Sequence, residues 1–453
     1  MGQPRITVYI PSHNYGRFLS EAIESVLRQS VDDWELLVID DGSTDDTASI
    51  IKLYEAHPQI IPIRTEGIGL TAVCNLALSK AKGEYLIRLD GDDVFDENIL
   101  LVLGNVLDKS KEMALVFPDY YLVDQFGEVY SHERRKKLYV DNHTFDVPPH
   151  GACTMIRASV LKDVGGYRED LKAQDGFDLW SKIVERYKST NVNLPLFYYR
   201  QHGNNLTTNS QRIFNARRQI KKDFIRGRLE LLHPVIAVIP CRKNFDFISN
   251  LWNERIGSKT LLEREIEVCL SSDLFNQVVV ASDNPLTENT VKQFSDSRLS
   301  FALRDSQSTI RSASIVPTLE EIAKKFDPEL NGITVVRYLQ SPFVTVDSIE
   351  EAVATLVMSG ADSAAAVEEI LSQVFRRTRF GMEPVNRIGD FRSDFDLLYK
   401  DLLSCLATYN KNFRTGSLTG RSVVSYVMPA AECLNIDSAQ KLEIARIITG
   451  SNN

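Results

Sequence analysis

Two acidic clusters near the start of the chain hold side chains able to do chemistry. Asp40-Asp-Gly-Ser-Thr-Asp-Asp-Thr47 follows one apolar run, Asp90-Gly-Asp-Asp93 follows another, and Pro11-Ser-His-Asn14 follows a third. One acidic turn ahead of a helix is ordinarily an N-cap, since Asp, Ser and Thr oxygens accept from the amides that a helix leaves unpaired. Ser43 or Thr44 is expected to take that role. Capping does not account for two such clusters about 50 residues apart, each ending an apolar run and each followed by a helix. Carboxylates at Asp90, Asp92 and Asp93 would repel one another in a dry cleft unless a cation sat among them. Hard oxygen ligands with an open face suit Mg2+ or Mn2+ bound together with a phosphate. An acidic residue near the first strands can also hydrogen-bond a base or a ribose hydroxyl. By themselves, then, the residues point to a metal-dependent nucleoside-diphosphate site.

The elements that must position these groups alternate. Ile6–Ile10, Trp34–Ile39 and Tyr85–Leu89 are short apolar runs of strand type, and Phe18–Leu27 and Thr44–Tyr54 carry helical spacing. Strands alternating with helices predict a mostly parallel sheet covered on both faces, and such sheets bind ligands beyond the carboxyl ends of their strands. The alternation restarts at Val235–Ile239 and continues through Gln277–Ala281 and Ile333–Arg337. The expected architecture is α/β, with two Rossmann-like nucleotide-binding domains in tandem over residues 1–210 and 234–453 and a connecting helix over 211–233. That helix carries Arg212, Arg217, Arg218, Lys221, Lys222, Arg226 and Arg228, with Ile213, Ile220, Phe224 and Leu231 at helical spacing. It reads first as a helix packed on the first domain with a solvated basic face. The second reading is contact with an anionic membrane surface or a lipid-phosphate acceptor.

The 453 residues are too many for one ordinary core. Lys and Arg number 52 against 61 Asp and Glu, a formal charge of −9, which argues against broad nucleic-acid binding. No apolar run reaches the roughly 20 residues of a membrane span. Met1–Ile10 reads as a first strand rather than a signal peptide. Six scattered cysteines without a CxxC pair suggest reduced, buried thiols and a cytoplasmic setting.

Residues 5 to about 210 resemble a family 2 glycosyltransferase of the GT-A fold. The resemblance rests on Ile10-Pro-Ser-His-Asn14, Asp40-Asp-Gly-Ser-Thr-Asp45, Gly83-Glu-Tyr-Leu-Ile-Arg-Leu-Asp-Gly-Asp-Asp93, Gln174-Asp-Gly-Phe-Asp-Leu-Trp180 and Tyr199-Arg-Gln-His-Gly203, in family order. It implies a nucleotide site at Pro11, Ser12, Asp41 and Asp90, with Asp41 on the base and Asp90 near the ribose. Asp92 and His202 would hold Mg2+ or Mn2+, and Asp175 would be the general base of an inverting transfer. Asp178 and Trp180 are expected to be structural. Two departures stand out. Gln174 replaces the usual Glu before the base, and Ala72-Val-Cys-Asn75 lacks an arginine that relatives often carry, so phosphate neutralisation must lean on the metal or on another basic residue.

Residues from about 234 to 449 resemble a cytidylyltransferase of the CMP-sialic acid synthetase type. The matching segments are Val235–Arg242, Val278–Asp283, Tyr338–Phe343, Ala361–Ala364, Thr419–Pro429 and Leu434–Asp437. Arg242, Gln340 and Asp437 match nucleotide-site positions of that family. A triphosphate needs close backbone amides and nearby cations, yet the loop Cys241–Ser249 has no glycine and carries Phe245 and Phe247. Leu251-Trp252 stands where the family has Lys-Asn, and Asn435 replaces one metal-binding carboxylate. The favoured expectation is a domain that binds, packs or forms a homo-oligomer; the other is a bifunctional enzyme that also makes a CMP-activated nonulosonic acid. A non-catalytic scaffold is the rival from another class. The whole reads as a bacterial-type cytoplasmic enzyme, with peripheral contact at the inner face of the cytoplasmic membrane as the second reading. It would move sugar from a nucleotide-sugar donor, UDP-linked by expectation, to a saccharide, lipid-linked or protein-linked glycan acceptor.

Overall fold

A computed structural model describes residues 3–135, 151–171, 173–202, 210–232, 234–309, 313–386 and 398–450. The chain divides into two compact units, Met1–Ile220 and Lys221–Asn453.

The first unit is built on strands β1 (Ile6–Ser12), β2 (Trp34–Asp41), β3 (Ile60–Thr65), β4 (Tyr85–Arg88), β5 (Val94–Phe95), β6 (Met113–Val123), β7 (Val129–Glu133), β8 (Met155–Arg157) and β9 (Lys188–Arg200). They form one sheet in the order β3-β2-β1-β4-β8-β6-β9-β5, with β7 on β6. The β3-β2-β1-β4 half is parallel. Every residue of β1, β2 and β4 is buried, which is why these strands read as largely apolar runs. Helices α1 (Gly16–Leu27), α2 (Thr47–Lys52), α3 (Leu70–Lys80), α4 (Ile99–Lys109), α5 (Ala158–Asp163) and α6 (Asp175–Arg186) complete it, with residues 210–220 of α7 (Ser210–Arg226), whose remainder belongs to the second unit. In α1, Leu19, Ala22, Ile23 and Val26 recur at helical spacing and are buried.

The parallel register sets the site. Ser12 pairs with Asp40 and Tyr9 with Arg88, so the ends of β1, β2 and β4 open together at one sheet edge. The turn after β2 corrects the expected capping. Helix α2 starts only at Thr47, because Ser43 Oγ accepts from Asn14 N and Thr44 N donates to Asn14 Oδ1, which occupies both residues elsewhere. Asp45 takes over: its carboxylate accepts from Thr47 N at 3.0 Å and from Gly16 N at 2.9 Å, tying α2 to α1.

The second unit has a seven-stranded sheet ordered Leu299–Leu303, Gln277–Ser282, Val235–Cys241, Ile333–Arg337, Leu398–Tyr409, Ser363–Ile370, Val423–Val427. Its first four strands are parallel, and Leu398–Tyr409 runs antiparallel to both neighbours. Helix Val346–Ser359 is buried along most of its length. Both units are thus mixed α/β, as the alternation predicts. No helix among the described residues is long and apolar enough to cross a membrane.

Candidate active site

A cavity of about 870 Å³ opens at the carboxyl ends of β1, β2 and β4, within the size range of small-molecule sites. Pro11, Ser12, Asp41, Asp90, Asp92 and Asp175 all line it. His202 joins them through Asp92, its Nε2 lying 2.9 Å from Asp92 Oδ2. Five segments far apart in sequence therefore meet in one place, although Gly203 of the Tyr199–Gly203 motif falls outside the described residues.

Asp41 carries a full set of bonds. Its carboxylate accepts from Thr65 Oγ1 at 2.6 Å, Ile68 N at 2.7 Å and Gly69 N at 2.8 Å, which pins the loop between β3 and α3. Burial pushes its pKa up, but the bonds from Thr65, Gly69 and Ile68 outweigh burial and leave it below the usual carboxylate value. Ser12 Oγ is buried and finds no partner among the described residues.

The three carboxylates of Asp90–Asp93 do not gather as one cluster, which corrects the expectation of a trio around a cation. Asp90 Oδ1 lies 2.9 Å from Arg88 Nε. Asp93 turns away and accepts from Arg200 N at 2.9 Å, anchoring the motif to the end of β9. Arg200, itself buried, donates from Nε to Asp92 O at 2.9 Å and from Nη2 to Glu21 at 2.7 Å. Mutual repulsion is therefore relieved partly by protein groups. What remains is visible electrostatically: burial first, and then the neighbouring carboxylates, raise the pKa of Asp93, while burial and Asp90 raise that of Asp92 against the His202 bond.

Among the described residues no three His, Cys, Asp or Glu side chains come close enough to hold a cation alone. Asp92 on the cavity wall and His202 beside it nonetheless form a carboxylate–imidazole pair 2.9 Å apart. That spacing suits neighbouring ligands of a divalent cation whose other positions are filled by phosphate oxygens and water. The donor set fits the ion.

Asp175 opens α6, following Gln174 in a left-handed conformation. Its Oδ2 accepts from Arg88 Nη1 at 2.6 Å. Burial works against the Arg88 charge, but Asp90 and then Asp175 overcome it and hold the guanidinium well above its usual pKa. Trp180 is buried edge-on to Phe117, and Asp178 is buried beside Lys182 at 2.7 Å, so both belong to the packing behind the site.

Sequence reasoning missed four arginines of the cavity wall: Arg88, Arg135, Arg212 and Arg217. For Arg88 a signal existed, a charge inside an otherwise apolar strand. Arg212 and Arg217 are exposed, as the solvated face of the basic helix requires, and they also line the cavity, with Arg217 Nε donating to Gln174 Oε1 at 2.7 Å. Further along α7, Lys221 pairs with Glu351 at 3.1 Å and Lys222 with Asp347 at 2.8 Å.

The second unit treats the equivalent place differently. Phe245 and Phe247 pack with Leu251, Ile256, Ile436 and Leu442 in an apolar cluster. Arg242 stacks on Phe245 with 4.8 Å from its Cζ to the ring centre. It lies near Arg304, whose pKa is lowered by burial first and by Arg242 in addition, with Asp283 opposing. Gln340 meets the C-terminal segment through its backbone oxygen, which accepts from Ile436 N at 2.7 Å. Asp437 has a side chain 62% exposed and paired with Lys441 at 2.6 Å, while Asn435 Nδ2 donates to Leu402 O.

Comparison with known proteins agrees with the geometry. Residues 7–165 match the Glycosyl transferase family 2 model, and residues 250–387 match the Cytidylyltransferase model. EpsE of Bacillus subtilis, named as a glycosyltransferase, is 31% identical over 209 residues, 44% of this chain and 73% of that protein. Chondroitin synthase of Pasteurella multocida is 29% identical over 276 residues, 58% of this chain. This chain spans 27% of the length of that synthase. Among solved structures, S. aureus TarS residues 1–349 in complex with UDP-GlcNAc is 18% identical with a TM-score of 0.42, covering 49% of this chain and 66% of that one.

Proposed function

From the premise that this chain belongs to glycosyl transferase family 2, with a cytidylyltransferase-type domain fused behind it, we propose that residues 1–210 carry out inverting sugar transfer. The donor is a nucleotide sugar, UDP-linked by preference, and the acceptor is a hydroxyl of a saccharide, lipid-linked or protein-linked glycan. The observation that carries this reading is the convergence of Asp41, Asp90, Asp92 and Asp175 on one cavity at the ends of parallel strands.

In this reading the nucleoside seats between the β1 and β2 ends, with Asp41 and Asp90 toward base and ribose. Asp92 and His202 hold Mg2+ or Mn2+, which when bound offsets negative charge on the diphosphate. Arg135, Arg212 and Arg217 supply the cationic wall that Ala72–Asn75 lacks. Asp175 takes the acceptor's hydroxyl proton as that oxygen forms its bond to the anomeric carbon. The bond from that carbon to the phosphate oxygen breaks, and its electron pair leaves with the nucleoside diphosphate. One displacement inverts the centre.

The cytidylyltransferase-type domain takes a binding or structural role, a reading supported by the apolar filling of the Cys241–Ser249 loop and by the exposed, lysine-paired Asp437. The test is donor turnover. Incubated with Mn2+, a mixture of saccharide acceptors and a panel of UDP-, GDP- and CDP-sugars, the full chain releases nucleoside diphosphate from at least one donor. Release from none would contradict the proposal.

A further inference from the structure

One guanidinium joins the two carboxylates on which the proposed chemistry depends. Arg88 ends β4 and is buried; its Nη1 donates to Asp175 Oδ2 at 2.6 Å, and its Nε lies 2.9 Å from Asp90 Oδ1. Asp90 follows two residues later on the same strand end, whereas Asp175 comes from the start of α6, 87 residues away. Glycine backbone closes over the bridge. A Cβ placed on Gly151 would lie 2.9 Å from Arg88 Nη2, and one on Gly176 would lie 2.8 Å from Gly151 Cα. Both glycines are needed for so close an approach. Cys74 Sγ, 3.8 Å from Nη1, completes the enclosure, and burial first pushes that thiol up to about 11, so it sits there as a neutral group.

The bridge makes the two oxygens of Asp175 unequal. Oδ2 is held by Arg88, while Oδ1 accepts no hydrogen bond from the described residues and belongs to a side chain on the cavity wall. We propose that Arg88 is a positioning residue for sugar transfer: it clamps one oxygen of Asp175, presents the other to the acceptor hydroxyl, and spaces that base against Asp90. The inference rests on the reading of Asp175 as the base. A planar fork holds two carboxylates in fixed directions, whereas an ammonium on a flexible stem is a point charge that fixes the geometry of neither. The roles divide accordingly. Asp175 accepts the proton, and Arg88 decides where that acceptor stands. A misplacement of about 1 Å is enough to cost roughly 100-fold in rate.

The experiment measures nucleoside diphosphate released by the full chain from the donor in the panel that wild type turns over fastest. Arg88→Lys keeps a charge but loses the fork, and Gly151→Ala leaves the arginine in place while pushing on its Nη2. Each is expected to lower kcat by about 10–100-fold with the donor KM within about threefold of wild type. Should Arg88→Lys fail to fold, Gly151→Ala carries the test. The decisive arm repeats both changes on Asp175→Asn. A residue acting through Asp175 has nothing further to lose there, so kcat should change by less than about twofold. Wild-type kcat in a folded Arg88→Lys chain, or equal losses with and without Asp175, would overturn the inference while leaving Asp175 as the base. Undiminished turnover by Asp175→Asn itself would instead remove the reading on which the inference rests, and so would a wild-type chain that turns over no donor in the panel.

Discussion

The two domains end their parallel strands in opposite ways. In the first, the ends of β2 and β4 and the start of α6 keep carboxylates in place and hold them with Arg88, Arg200, His202 and the amides of Ile68 and Gly69. In the second, the loop after Val235–Cys241 is filled by Phe245 and Phe247, and the remaining acid at the C-terminal segment faces solvent. The second domain also buries charge where a parallel strand ends, at the last residue of Ile333–Arg337, but pairs it within the fold. Arg337, fully buried, donates to Glu265 at 3.0 Å and to Ser404 O, and both acid and base are enclosed. The lesson is that a shared strand order does not carry chemistry; the loops do, and what matters is whether buried charge is spent at the ligand end or inside the fold.

The comparison can be broken at several points. The largest effect is expected from Asp175→Asn, which should lower transfer by about 10²–10⁴-fold while leaving nucleotide affinity within about threefold. Transfer rates for the purified variant, set beside UDP titration, check it, and near-wild-type transfer would dismiss Asp175 as the base. Arg337→Met probes the other domain. Leaving Glu265 buried without its partner should cost about 3–5 kcal/mol of that domain's stability, read as a lower denaturant midpoint, with transfer kinetics unchanged. A matching loss of transfer would mean that the second domain's core contributes to the first domain's chemistry.

A smaller effect concerns pH. Asp41 is held below its usual pKa, so its contribution to stability is present above the unfolded value of about 3.9 and is lost as pH falls through the lower folded value. Asp41→Asn should flatten the fall in stability below about pH 4, measured by denaturation at several acid pH values. An unchanged slope would show that the Thr65–Gly69 loop does not depend on this charge. The smallest expected signal is none: the full chain should release no pyrophosphate from CTP in the presence of a nine-carbon sugar acid. Release that depends on the sugar acid and is abolished by Asp437→Ala would make the protein bifunctional and would erase the contrast between the domains.

Much of this was legible in the sequence, for identifiable reasons. Strands enclosed on both faces must be mostly apolar, so Ile6–Ile10, Trp34–Ile39, Tyr85–Leu89 and their counterparts in the second half announce themselves despite Thr7, Glu35 and Arg88. The acidic motifs were readable because they sit directly at the ends of those strands. Long strands β6 and β9 were not, because they pair with irregular register and are partly polar. Ser43 and Thr44 looked like caps until Asn14, 30 residues from Thr44 in sequence, claimed them. Arg88 sits within a strand motif, and its meaning lies in a partner 87 residues distant, which no local pattern records. Helical spacing told which residues of α7 share a face but not that Arg212 and Arg217 meet a cavity.

The central claim is that the strand-end carboxylates of the first domain, and not those of the second, form the nucleotide site. Its most direct test is calorimetric titration of UDP, GDP, CDP, CMP and CTP into the full chain, with Mn2+ and with chelator, for wild type and Asp92→Asn. The account predicts tight binding of one nucleoside diphosphate, UDP by preference, weakened by about 10–100-fold in chelator and to a similar extent in Asp92→Asn, with CTP and CMP binding no better in wild type than in Asp437→Ala. Diphosphate affinity that is unchanged in both chelator and Asp92→Asn, or tight CTP binding lost in Asp437→Ala, would contradict it.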